Sequence, residues 1–258
     1  MTRGHNVKIH DAEECEGIRR AAAAAAGVRD ALRVQVSPGM TTLDVDRLAG
    51  TLIRGTGGQS AFFNYHGFPG QICISLNDVV VHGIGDARTV IRPGDLLSID
   101  VGVLLGGFYG DTALTFAVGS APDDEGARLM TITRQSLDAG IEAARSGNRV
   151  NDIGRAVQRV VEAATFSVVR DFVGHGCGRE LHEPPEVPNF SCRDPGPKLV
   201  PGMVLAIEPM VNAGGEKIYI EDDGWTVRTA DGSRSAHFEH MVLIREGEAE
   251  ILTWQKTQ

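Results

Sequence analysis

Asp-Leu-Leu-Ser-Ile-Asp-Val-Gly-Val-Leu-Leu-Gly-Gly-Phe-Tyr-Gly-Asp-Thr-Ala-Leu-Thr-Phe occupies residues 95–116. Two apolar runs flank Gly106 and Gly107, so the segment predicts a β-hairpin with a tight glycine turn. Each predicted strand carries one acid among hydrophobic neighbours, Asp100 in the first and Asp111 in the second. A carboxylate in such a place is costly unless a cation or a hydrogen-bond donor meets it. Acids on paired strands can converge on one point, although either residue alone is equally compatible with capping a turn.

Composition narrows the class of protein. The chain has 258 residues, 42% hydrophobic and 23% charged, which suits one large domain or two fused halves. A net charge of −9 without a basic cluster argues against autonomous DNA or RNA binding. No apolar run reaches the length of a membrane span, and the first residues lack the apolar core of a signal peptide. We therefore expect a cytoplasmic protein without membrane partners.

The four cysteines give no sign of a zinc knuckle. None of them forms a Cys-x-x-Cys pair. We expect four free thiols in a reducing compartment. They are Cys15, Cys73, Cys177 and Cys192.

Helix and strand signals are mixed along the chain, which is typical of the α+β class. Asp11 and either Thr41 or Thr42 are candidate helix N-caps. Helices are predicted over residues 11–35, 41–54, 123–145 and 151–165. Strands are predicted over residues 71–76, 79–82, 96–103, 108–118, 204–211, 225–229, 237–244 and 249–253.

The chain contains an internal repeat. The segment 93–100 matches the segment 201–208, and in both an acid falls seven residues after a proline. Upstream, the His-Gly-Ile-Gly of residues 82–85 matches the His-Gly-Cys-Gly of residues 175–178. Because a duplicated half supplies about half a site, we expect the functional groups to meet between the halves.

Four acids lie within apolar strand patterns: Asp100, Asp111, Glu208 and Glu239. Converging carboxylates raise one another's pKa values unless cations are present. Oxygen ligands with one imidazole suit Mn, Fe, Co or Zn, and bridging acids allow two metals to share a site. His175 is the candidate imidazole, because glycines on both sides let it approach a ligand closely.

Several motifs together resemble the type I methionine aminopeptidases, and the resemblance runs from about residue 11 to residue 253. The motifs are Tyr65-His66-Gly67-Phe68-Pro69, Ser75 to Gly83, Gly174 to Arg179 with His182-Glu183, Pro201-Gly202-Met203 with Ile207-Glu208-Pro209, and Ser235-Ala236 with Phe238-Glu239-His240.

The resemblance implies the pita-bread fold, with antiparallel sheets covered by helices in two pseudo-symmetric halves around a dinuclear metal site. We expect a short arm over residues 1–10, then a single catalytic domain over 11–258 with a pseudo-repeat of about 11–120 and 121–253. The implied ligands of two divalent ions are Asp100, Asp111, His175, Glu208 and Glu239. Asp111 and Glu239 would bridge the ions.

The resemblance also assigns the groups that meet substrate. Glu208 is expected to take a proton from the attacking water, while His82 assists the leaving nitrogen and His182 binds the carbonyl oxygen. The expected lining of a methionine pocket is Tyr65, Phe68, Cys73 and Trp225, with Met210 less securely placed; core packing is the alternative for these residues. The family pattern is broken at Gly85, usually proline, at His237, often glutamine, and at Met241, often threonine.

The predicted function is removal of the initiator methionine from nascent chains when the second residue is small. We expect a monomer that associates transiently with the ribosome. One rival is another pita-bread peptidase, such as an Xaa-Pro enzyme, which usually carries a large additional N-terminal domain. The other is a binding module on the same fold, which would be expected to have lost ligands.

Overall fold

In a computed structural model that describes residues 7–254, two pairs of α-helices are each followed by a run of strands, as the α+β prediction requires, with a short 3-10 helix at Tyr65–Gly67. The helices are α1 (Ala12–Gln35), α2 (Thr42–Gly55), α3 (Asp124–Ala143) and α4 (Val150–Ala163). The strands of the first half are β1 (Gln59–Ser60), β2 (Cys73–Leu76), β3 (Val79–Val81), β4 (Leu96–Leu105) and β5 (Phe108–Ala117). Those of the second half are β6 (Ser167–Val168), β7 (Gly174–Gly176), β8 (Glu183–Val187), β9 (Val204–Ile207), β10 (Met210–Asn212), β11 (Ile218–Ile220), β12 (Val227–Thr229), β13 (Ser235–His237), β14 (His240–Leu243) and β15 (Glu250–Ile251).

All the strand pairs between residues 7 and 254 are antiparallel, and they form four sheets. The first contains β1, β4 and β2 in that order, with β5 paired to β4. The largest has the order β15-β14-β9-β7-β8. Two three-stranded sheets, β13-β10-β6 and β11-β12-β3, complete the set. None of the helices among these residues is both long and apolar enough to cross a membrane.

The predicted hairpin is confirmed as β4 and β5. Leu105 pairs with Phe108, so Gly106 and Gly107 form a two-residue turn with φ values of 60° and 81°. Positive φ at both positions is the requirement of the turn that matches strand twist, and glycine meets it without strain.

Helix α1 packs closely on this hairpin. Asp11 caps it, accepting the backbone N–H of Glu14, as predicted. Ala21, Ala22, Ala25 and Ala26 of its alanine run are buried, and a Cβ on Gly110 of β5 would overlap the carbonyl oxygen of Ala21. Small residues on both surfaces therefore allow helix and strand to approach one another.

Two predicted strands are broken, which corrects the sequence analysis. The segment 204–211 divides into β9 and β10 at Glu208 and Pro209, and the segment 237–244 divides at Phe238 and Glu239. Pro209 has no N–H to donate to a ladder. Both candidate acids therefore lie in gaps between strands, not within strands as predicted.

Strand β5 joins the two halves through hydrogen bonds to the segment before β14. The backbone N–H of Glu239 donates to the carbonyl oxygen of Ala113 at 2.9 Å, and the Thr112 hydroxyl donates to the carbonyl oxygen of Glu239 at 2.9 Å. The backbone N–H of His237 donates to the Thr115 hydroxyl at 2.8 Å. These bonds hold the Glu239 segment of the second half directly against the acid-bearing hairpin of the first.

Candidate metal centre and adjoining pocket

The hairpin places Asp100 and Asp111 on the same face of the first sheet. Gly102 pairs with Asp111, and Asp100 lies two residues before Gly102 on β4. Because directly paired residues share a face and residues two apart along a strand do as well, both carboxylates project to one side. Cys73 pairs with Asp100 across β2 and β4, so its thiol joins the same face.

The other three candidate ligands are placed by the largest sheet. Ala206 on β9 pairs with His175 on β7 and with Met241 on β14. Glu208 follows Ala206 by two residues and Glu239 precedes Met241 by two, just beyond the strand ends, and both side chains lie near that of His175. His240 pairs with Ile207 and faces the opposite side, as the sequence predicted.

These elements bring the candidate ligands together. Ligand atoms of Asp111, His175 and Glu239 all lie within 4.8 Å of one another. Nε2 of His175 lies 3.4 Å from Oε1 of Glu208 and 3.9 Å from Oδ2 of Asp111. Asp100 forms a side-chain hydrogen bond with Asp111. The cluster therefore draws on both halves of the chain.

The acids of this cluster resist ionisation. Burial, together with the neighbouring carboxylates, raises the pKa of Asp100 and of Glu239 well above the ordinary range. Burial followed by the charge of Asp111 does the same to the pKa of Glu208. Burial raises the pKa of Asp111 to about 7, although its hydrogen bond with Asp100 opposes the shift. Bound cations would reverse these shifts, because an opposite charge stabilises the ionised form.

Several atoms at the cluster are suited to metal binding. Asp100 Oδ1, Asp111 Oδ1 and Glu239 Oε1 are buried without a hydrogen-bond partner among residues 7–254. Nδ1 of His175 lies 2.9 Å from the carbonyl oxygen of Gly176, so an N–H there leaves Nε2 with a lone pair facing the acids. A backbone carbonyl that fixes the tautomer in this way is a regular feature of metal-binding histidines. Oxygen donors with one imidazole suit a divalent transition metal.

An apolar pocket of about 380 Å³ adjoins the cluster. All eleven residues that the sequence singled out as ligands, catalytic groups or pocket lining face this one cavity, and Met210 does too. Phe68 and Trp225 meet edge to face with ring centroids 5.2 Å apart. Phe68 and Cys73 are buried in a small apolar cluster with Leu181.

His82 and His182 line the cavity from different sheets. His82 follows β3 with a φ of 57°, a left-handed conformation that is uncommon outside glycine and that often marks a functional position. Burial lowers the pKa of His82 to about 4 and also lowers that of His182, so both rings are neutral at pH 7. The Tyr65 hydroxyl lies 2.7 Å from Nδ1 of His182, and the His182 and His175 rings are 4.3 Å apart.

Sequence reasoning missed part of the lining. Phe172 and Leu181 flank the predicted histidine motif, and apolar residues beside such a motif were the available signal. His237, noted as a departure from the family, is buried in the cavity wall with Nε2 3.7 Å from Oε2 of Glu208. Met241, a second departure, accepts the backbone N–H of Asp111 on Sδ at 3.0 Å.

Comparison with known proteins agrees with this architecture. The model of metallopeptidase family M24 matches residues 16–246, a span that includes every candidate ligand. The chain belongs to metallopeptidase family M24. Its M24 relatives include the methionine aminopeptidase of Clostridium perfringens, 47% identical over 245 residues that cover 95% of this chain and 98% of that one.

Solved M24 structures confirm the pita-bread fold. The crystal structure of a methionine aminopeptidase from Thermotoga maritima superposes with a TM-score of 0.93 at 41% identity, covering 96% of this chain and all of that one. Prolidase from Pyrococcus furiosus shares only the fold, with a TM-score of 0.77 and 24% identity over 96% of this chain and 66% of its own. The resemblance to methionine aminopeptidases is confirmed, and the chain is a metallo-aminopeptidase of the M24 family that uses divalent metal.

Proposed function

We propose that this M24 enzyme removes the N-terminal methionine from newly made proteins by hydrolysis. The observation that carries the proposal is the meeting of an acid and histidine cluster with an apolar pocket in one cavity. The relatives that cover nearly its whole length are named for the same activity.

Two divalent ions, drawn from Mn, Fe, Co or Zn, would be held by Asp100, Asp111, His175, Glu208 and Glu239, with Asp111 and Glu239 shared between them. When bound, such ions lower the pKa of an attacking water and polarise the substrate carbonyl. The unpartnered buried oxygens of Asp100, Asp111 and Glu239 support this assignment.

Glu208 is the proposed proton acceptor. Its carboxylate borders the cavity and lies beside the His175 imidazole. Burial raises its pKa well above the ordinary range in the metal-free protein, and bound cations would lower it again, so that the ionised carboxylate is available to accept a proton. The proton taken from water would pass to the nitrogen of the departing peptide.

The two cavity histidines act as neutral groups in this proposal. If the Tyr65 hydroxyl donates to Nδ1 of His182, the ring carries its hydrogen on Nε2, which can donate to the substrate carbonyl oxygen. His82, whose pKa burial lowers to about 4, donates a hydrogen bond from its ring N–H to the scissile nitrogen as that atom becomes an amine, while the transferred proton itself comes from Glu208. Both interactions strengthen as charge develops, which is the requirement for lowering the barrier.

The apolar lining fits an unbranched thioether side chain. Tyr65, Phe68, Cys73 and Trp225 surround the space together with Phe172 and Leu181. One methylene changes discrimination in such a pocket by only about 1–3 kcal/mol, so norleucine should be accepted weakly. The preference for a small second residue rests on the family likeness.

The protein is expected to work as a cytoplasmic monomer that meets nascent chains at the ribosome. Gel filtration and ribosome cosedimentation test these expectations separately from the chemistry.

The activity is tested by turnover of Met-Ala-Ser, Met-Lys-Ser and Ala-Pro peptides after metal removal and reloading with each candidate ion. We expect methionine release from the first peptide, much less from the second, and none after chelation. Hydrolysis of Ala-Pro with none of Met-Ala-Ser would support the Xaa-Pro rival. Metal binding without any turnover would favour a binding module.

A further inference from the structure

The residues just before α1 reach across the molecule to the turn that carries His182. Residues 7–10, the described part of the predicted arm, form this segment. The backbone N–H of His10 donates to the carbonyl oxygen of Gly202 at 2.8 Å. The His10 ring lies where a side chain on Gly178 would otherwise be, because a Cβ there would be 2.6 Å from Nε2 of His10.

The arm meets a buried carboxylate, Glu183. Nε2 of His10 lies 3.2 Å from Oε2 of Glu183, and the two side chains are 2% and 1% exposed. The other ring nitrogen lies 3.4 Å from Oε2 of Glu14. Lys8 adds a more exposed contact, with Nζ 3.2 Å from Oε1 of Glu183. A buried carboxylate is strongly destabilising unless such donors surround it.

Glu183 in turn fixes the turn that precedes it. Its Oε1 accepts the backbone N–H groups of Arg179 and Glu180 at 2.7 and 2.9 Å. Burial opposes ionisation, yet the hydrogen bonds from His10, the Glu180 backbone and Lys8 lower the pKa of Glu183 to about 2. The carboxylate is therefore charged at neutral pH and binds both arm and turn.

His182 is the residue next to Glu183 and faces the other way. Along residues 181–187 buried and exposed side chains alternate, so that Glu183 is buried while His182 faces the open cavity. Anchoring Glu183 thus fixes the peptide from which the His182 ring extends, while the Tyr65 hydroxyl holds its Nδ1.

We propose that His10 is a positioning residue for His182 and acts through Glu183. The inference rests on the proposed function for its kinetic consequences, but the geometry of the turn can be measured without turnover. A shift of about 1 Å in a catalytic group can cost about 10²-fold in rate, so a loosened turn would be visible in kcat.

The test compares two substitutions at His10 with a matched control. His10→Leu keeps apolar volume and removes the donor, whereas the amide nitrogen of His10→Gln can still donate to Glu183. Arg19→Met is the control. Nε of Arg19 on α1 donates to Oε1 of Glu250 at 2.7 Å, a contact that includes no residue of the turn. Each variant is measured for kcat and KM on Met-Ala-Ser, metal content, melting temperature and amide hydrogen exchange at residues 179 and 180.

We expect His10→Leu to lower kcat about 10–10²-fold with KM within about twofold and metal retained. Exchange at residues 179 and 180 should accelerate, and the His182 ring signals should shift in NMR spectra. His10→Gln should restore most of kcat. Arg19→Met should lower the melting temperature without lowering kcat or changing exchange in the turn.

A second comparison separates positioning from a general structural role. In a His182→Ala background, His10→Leu should cause no further loss of kcat, because the group it positions is gone. An equal further loss in that background would overturn the proposal. So would unchanged exchange and unchanged His182 signals in His10→Leu. If the unaltered protein releases no methionine, the proposed function fails, and exchange with NMR still decides the role of His10.

Discussion

Replacing Asp111 with asparagine should stabilise the metal-free protein at neutral pH while it destroys the candidate metal site. Asp111 is 3% exposed and one of its oxygens has no hydrogen-bond partner within residues 7–254. Burial raises its pKa from 3.8 to about 7. In the metal-free protein, ionising this carboxyl at neutral pH therefore lowers the stability of the folded state.

The sign and size follow from proton linkage. Between the two pKa values the unfolded chain has lost the proton and the folded chain retains it, so stability falls as pH rises. Each pH unit corresponds to about 1.36 kcal/mol, which gives about 4 kcal/mol over the full interval and about 3 kcal/mol above pH 5. Asparagine does not titrate, so the variant does not lose this folding stability as the pH rises.

The assay is urea unfolding of chelator-treated wild-type protein and Asp111→Asn at about pH 5 and pH 8. The stability of the variant relative to wild type should increase by about 3 kcal/mol between the two pH values. Asp138→Asn, on the exposed surface of α3, is the control and should show no such change. An Asp111→Asn protein whose relative stability is the same at both pH values would refute the reasoning, as would undiminished metal binding by this variant.

Four further predictions concern the cavity and the packing around it. Glu239→Ala should bind less metal and lose its metal-dependent rise in melting temperature, since a ligand bound only to the folded state stabilises it. His82→Ala should keep metal and melting temperature while kcat falls about 10²–10⁴-fold; equal metal loss in both variants would make His82 a ligand. Tyr65→Phe keeps the ring but removes the hydroxyl that meets His182, so kcat should fall about tenfold with KM nearly unchanged, whereas a rise in KM alone would assign Tyr65 to the pocket only. Gly110→Ala should lower the melting temperature, because its Cβ would meet the α1 backbone; an unchanged value would show that α1 can move away.

Strong local signals made much of the fold predictable. The four helices begin within about a residue of their predicted starts, because Asp11 and Thr41 accept capping bonds that sequence alone can suggest. The β4–β5 hairpin follows from two apolar runs and a glycine pair. Strands β7 and β8 were missed, because glycine and proline dominate them and only distant pairing makes them strands.

The residues of the candidate site were predictable from the sequence, but the backbone conformation that places them was not. The acids and histidines lie together as expected, but their roles as ligands stay a prediction. Pro209 was an available signal for the break at Glu208, because proline cannot donate to a strand ladder, but the break at Glu239 depends on pairing with remote neighbours and has no such marker. The contact between His10 and Glu183 was equally hidden, because 173 positions separate two residues that carry no shared motif.

The hydrogen bonds from β5 to the Glu239 segment have a consequence for biosynthesis. Asp100 and Asp111 leave the ribosome well before their partner across this seam, because Glu239 follows Asp111 by 128 residues. A nascent chain that does not yet include Glu239 contains Asp100 and Asp111 but lacks the segment that β5 binds beside them. If Glu239 is a metal ligand as proposed, the metal site cannot be complete until this residue has been made and β5 has bound its segment.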